Sequence, residues 1–70
     1  MEIDANRVED LSILYQHRMA AAALAGYRFR QFGKFWDVYD PTGHMVAWAT
    51  LEGCVDRAWR SLERRCNATR

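Results

Sequence analysis

The sequence predicts an α+β domain of order α-β-β-β-α: a three-stranded antiparallel meander with the C-terminal helix packed on one face. Three observations predict it. Apolar residues recur at three-or-four spacing near both ends of the chain. Between residues 27 and 49 the pattern switches to period two. Two turn sequences, Gly33-Lys34 and Asp40-Pro41-Thr42-Gly43, divide that middle stretch into three strands.

Residues 5 to 25 read as the first helix. Asp4 or Asn6 serves as its cap, and Glu9 and Asp10 lie in its early turns, where the helix dipole favours acids. Gly26 ends it, as a residue free to take positive φ does. The Ala20 to Ala25 stretch carries so little bulk that a sheet, a helix or a second copy of the chain can approach it closely.

With Gly33-Lys34 as a two-residue turn, Phe29 pairs with Val38, Arg30 with Asp37, Gln31 with Trp36, and Arg28 with Tyr39. Side chains alternate between faces along each strand. The Asp40-Pro41-Thr42-Gly43 turn with a glycine bulge then pairs Tyr39 with Met45, Val38 with Val46, Asp37 with Ala47, Trp36 with Trp48, and Phe35 with Ala49. In this register Phe29, Trp36, Val38, Val46 and Trp48 form an inward face. Arg28, Arg30, Phe32, Phe35, Asp37, Tyr39 and Met45 form the outward face, with small Ala47 and Ala49 between them. Thr50 caps the last helix, residues 51 to 66. Its stripe of Leu51, Cys54, Val55, Ala58, Trp59, Leu62 and Cys66 takes the inward face as its cover.

Seventy residues make a single domain, spanning the whole chain with frayed ends at 1–4 and 67–70, and its core is small. The formal charge of +1 lacks the basic excess of a dedicated phosphate-backbone binder. Cys54 and Cys66 on one helix stand about 18 Å apart, too far for a disulfide, and two unpaired thiols suit a reducing cytoplasm. The acidic Glu2 and Asp4 do not make a signal peptide, and no apolar run reaches the length of a membrane span.

No nucleophile elbow, phosphate-cradling glycine loop or paired-carboxylate motif is present, so a non-enzymatic protein without cofactor is expected. His17, His44, Cys54 and Cys66 lack metal-ligand spacing. Asp37 facing Arg30 reads as a cross-strand ion pair. The outward face is the unusual feature. Solvent faces of sheets favour Thr, Lys, Glu and Ser, whereas aromatics, Met and Arg are enriched at interfaces. Arg28, Arg30, Phe32, Phe35, Tyr39 and Met45 are therefore the candidate partner-binding residues. Arg57, Arg60 and Arg64, on the charged side of the last helix, are the alternative set. Two arrangements stay open: the first helix covers the outward face with its alanines, or that face meets another molecule.

The element order, together with "FWDVYDPTGHMVAWAT" running into a helix, resembles the double-stranded RNA-binding domain. That resemblance implies both helices on one sheet face and the other face open. The family's RNA-binding lysines would fall at residues 51–55, where this chain reads "LEGCV", so no RNA contact is carried over. In size, near-neutral charge and lack of catalytic motifs the chain resembles small phage- or plasmid-encoded inhibitors, anti-CRISPR proteins among them. This implies binding to a larger protein or nucleoprotein complex. The other expectation is nucleic-acid binding, with Arg28 and Arg30 on phosphates and the aromatic rings stacking on bases.

Overall fold

Ser12 opens the first helix. Its side chain accepts a hydrogen bond from the Tyr15 amide at 3.3 Å, and its extended backbone sets the helix start. The computed structural model describes residues 7–68 and gives helix α1 as Ile13–Leu24. The start expected at residue 5 is therefore corrected. Val8–Asp10 form a separate 3₁₀ turn, and Leu11 is extended behind it. The expected Asp4 or Asn6 cap lies outside the described residues, as do residues 1–4 and 69–70 of the ends expected to fray at 1–4 and 67–70. Asn67 and Ala68 belong to the last helix.

Gly26 closes α1 with φ +104. The Tyr27 amide bonds the Ala22 carbonyl and the Gly26 amide bonds the Ala23 carbonyl, each at 3.0 Å. This paired closure satisfies the carbonyls that a helix end leaves open. It also swings Tyr27 into the core, where its hydroxyl meets Ser61 Oγ at 2.7 Å.

Strands β1 (Arg28–Phe32), β2 (Phe35–Tyr39) and β3 (Met45–Ala49) form the expected antiparallel meander, and α2 (Leu51–Ala68) follows. Gly33 takes φ +58 while Lys34 keeps a negative φ, the signature of a glycine-first hairpin turn. Every pair of the first hairpin matches the expected register. The second hairpin keeps only Tyr39 with Met45. A bulge then sets Val46 and Ala47 together against Val38, so Trp48 pairs with Asp37 and Ala49 with Trp36. This corrects the face assignment. Ala47 and Ala49 turn inward and Trp48 turns outward.

The reason lies on α2. Its approach to the sheet is close, for a Cβ added at Gly53 would stand 3.1 Å from Ala49 Cβ. Cys54 and Ala58, both fully buried, continue that small-residue track. Alanines opposite it fit, whereas an indole in the middle of β3 would hold the helix away. Both helices share the inward face. Ala22, Tyr27, Val38, Ala47, Cys54 and Ala58 form one core cluster, and Leu11, Leu51 and Val55 form another. Phe29 and Trp36 touch both. Burying a Val or Leu side chain stabilises by about 1.5–3 kcal/mol, and Leu51, Val38 and Val55 are the largest fully buried side chains among the described residues. Cys66, expected on the buried stripe, is exposed near the end of α2.

Candidate partner-binding face

Three rows cross the outward face: Arg28–Tyr39–Met45, Arg30–Asp37–Trp48, and Phe32–Phe35 beside the first turn. Among the described residues no helix covers them. Trp48 is 68% exposed, Phe32 and Met45 54% and Phe35 49%, a continuous apolar surface that a folded chain normally avoids. Phe35 and Trp48 meet edge to face with ring centroids 5.9 Å apart, which holds both rings in one arrangement.

Asp37 is the buried polar group beneath this surface. Arg30 grips it with two charge-assisted bonds, Nε to Oδ1 at 3.3 Å and a terminal nitrogen to Oδ2 at 3.2 Å. The same guanidinium donates to the Tyr39 hydroxyl at 3.2 Å and lies 5.0 and 5.1 Å from the Phe32 and Tyr39 ring centres. Arg28 is the strand-pairing partner of Tyr39, yet the arginine over the Tyr39 ring is Arg30. Arg30 takes that place because Asp37 draws it towards β2. Arg28 forms no ion pair among the described residues and borders an open groove with Gly26, Tyr39, Asp40 and Pro41.

The turn behind that groove is densely hydrogen-bonded. Asp40 accepts from the Thr42 hydroxyl at 2.6 Å, the Thr42 amide at 2.9 Å, the His44 amide at 3.0 Å and Arg65 at 2.9 Å. The Thr42 hydroxyl is the largest of the influences that hold the Asp40 carboxyl at about 2, with partial dehydration opposing them. The Asp40 amide donates to the His44 carbonyl at 2.9 Å. Arg65 ties this turn to α2.

The alternative set lies elsewhere. Arg57, Arg60 and Arg64 line a shallow groove beside Val46 and Glu63 on α2, with Arg60 bonded to Asp56 at 3.4 Å. The sequence reading brought Arg28, Arg30, Phe32, Phe35, Tyr39 and Met45 to one face, and the structure places them so. It missed Trp48. The signal that could have found it is the Gly53, Cys54, Ala58 spacing, which asks for alanines opposite.

Among the described residues no three His, Cys, Asp or Glu side chains gather as metal ligands, and no helix is long and apolar enough to cross a membrane. Cys54 is enclosed, its thiol directed to the Trp36 carbonyl at 3.1 Å, and burial pushes its pKa up, away from the reactive thiolate. Fold and site together define a two-layer α+β domain with one open aromatic sheet face. No family model matches the chain, and comparison with curated proteins and with solved structures found no match.

Proposed function

We propose that the chain is a small, cytoplasmic, non-enzymatic binding protein of the phage- or plasmid-encoded inhibitor kind. Its outward sheet face docks onto a larger protein or nucleoprotein complex and blocks or modulates it. The observation that carries this reading is the exposure of Phe32, Phe35, Met45 and Trp48 on one rigid sheet. Large aromatics at the centre of an interface supply most of its binding energy.

Charge favours a protein surface over nucleic acid. A phosphate binder needs several uncommitted cations, because each neutralised phosphate releases counterions. Here Arg30 is spent on Asp37, which leaves Arg28 on the face and Lys34 at its turn. A matching partner presents apolar side chains with a carboxylate near Arg28.

The test is capture of partners by the immobilised protein from cells of its native host, with and without nuclease, over a salt series. A captured protein that survives nuclease and high salt, and is lost when the bait carries Trp48→Ser, supports the reading. Capture that vanishes with nuclease or falls steeply with salt assigns the face to nucleic acid instead. Capture unaffected by Trp48→Ser but abolished by Arg57→Glu moves the site to α2.

A further inference from the structure

Helix α1 has a second open surface, opposite its buried side. Leu24 is 90% exposed and Ile13 72%, and Leu14 stands beside them at 55%. Ile13, His17, Ala20 and Leu24 are spaced i, i+4, i+7 and i+11, so they form one straight stripe about 16 Å long. Ala22, the fully buried residue of this helix, lies on the far side. The helix carries one charged side chain, Arg18, and its guanidinium is drawn away to the Trp59 and Tyr15 rings, 5.2 and 6.0 Å from their centres.

We infer that this stripe pairs with the same stripe of a second copy, antiparallel about a two-fold axis between His17 and Ala20. The stripe is self-complementary in that arrangement. Each Ile13 meets the Leu24 of the other copy, and each His17 meets an Ala20. Bulk therefore sits at both ends and a small residue opposite the imidazole, so the backbones can close. Charge selects the occupant as well. The stripe has no acid, lysine or arginine, so nothing on it favours a charged foreign surface, and two copies face each other without like-charge repulsion. The outward sheet face differs, because a two-fold pairing there would bring Arg28 and Lys34 of both copies onto one apolar patch.

The interface is one helix wide, well below the roughly 800 Å² per partner of a standard complex, so the dimer is weak and forms at high concentration. Because α1 lies on the inward side with α2, pairing leaves both outward faces free. A dimer so built is bivalent, and a partner with two sites gains from the raised effective concentration.

Sedimentation velocity from low micromolar to near-millimolar chain tests this. The wild type shifts from an 8.2 kDa species towards twice that mass as concentration rises. Leu24→Lys and Ile13→Glu each abolish the shift, because each buries an unpaired charge. The double variant Ile13→Glu/Leu24→Lys restores it, since the antiparallel register sets the two new charges opposite one another. Both positions are solvent-exposed, and an unchanged circular-dichroism melt verifies that the single variants stay folded. A wild type that remains a monomer throughout overturns the inference. So does a dimer that persists in Leu24→Lys, or that only Trp48→Ser removes.

Discussion

Arg28 and Arg30 have the same residue type and neighbouring positions on one face, yet their surroundings give them different work. Arg30 pairs with a buried carboxylate, so Arg30→Ala leaves the Asp37 side chain buried without its ion-pair and hydrogen-bond partner. It lowers the melting temperature by several degrees, whereas Arg28→Ala leaves it unchanged and weakens partner binding alone. Thermal melts of the two variants side by side check this. Asp40 sets a pH dependence. Its folded pKa of about 2 lies below the ordinary 3.8, so its bonded carboxylate stabilises the fold above pH ~4. That contribution disappears as pH falls from about 4 to about 2. In Asp40→Asn the acid-side drop in melting temperature across this window shrinks, and a wild type without such a drop contradicts the bonding scheme of the turn.

At the scale of elements, the junction of α1 with β1 and the bulge in β3 do the positioning. Gly26 combines a positive φ with a neighbour in the way, since an added Cβ would stand 3.2 Å from Pro41 Cβ. Gly26→Ala therefore costs about 1–2 kcal/mol or more, read from urea unfolding, because an L side chain is strained there whatever the space. The bulge predicts the environment of each indole. Trp48→Phe removes the readily quenched, red-shifted part of the tryptophan emission, and Trp36→Phe leaves it in place. The reverse result would restore the unbulged register. Most of the architecture was legible in the sequence: the element order, both turns, the first-hairpin pairing and the Thr50 cap all follow from local chemistry. Two features were not. Val8 and Leu11 fit a helical period and favour an early start for α1, while the competing Ser12 cap is a single-residue signal. The β3 register is ambiguous in the sequence because Met45-Val46-Ala47-Trp48-Ala49 is apolar in either phase. Packing against the small residues of α2 decides between the phases, and that is a tertiary constraint.

The whole molecule divides its surfaces by layer. The two helices and the inward sheet face make the core, and the outward face is left with aromatics that contribute little to holding the chain together. Five of its residues, Arg28, Arg30, Phe32, Phe35 and Tyr39, follow from alternation along the first hairpin, and Met45 follows from its pairing with Tyr39. Trp48 joined them only through the bulge. Whether α1 covers that face was open in the sequence, since an alanine-rich helix fits against a sheet or a helix equally well. Here Leu11, Tyr15, Met19 and Ala22 pack on the inward side with α2. The central claim, a sheet face kept apolar for a partner and dispensable for folding, is tested most directly by the double variant Phe35→Ser/Trp48→Ser. Its melting curve and its capture of partner from host cells are measured together, against the wild type. The account predicts a cooperative melt close to that of the wild type and no captured partner. A variant that unfolds, or one that folds and captures its partner undiminished, would contradict it.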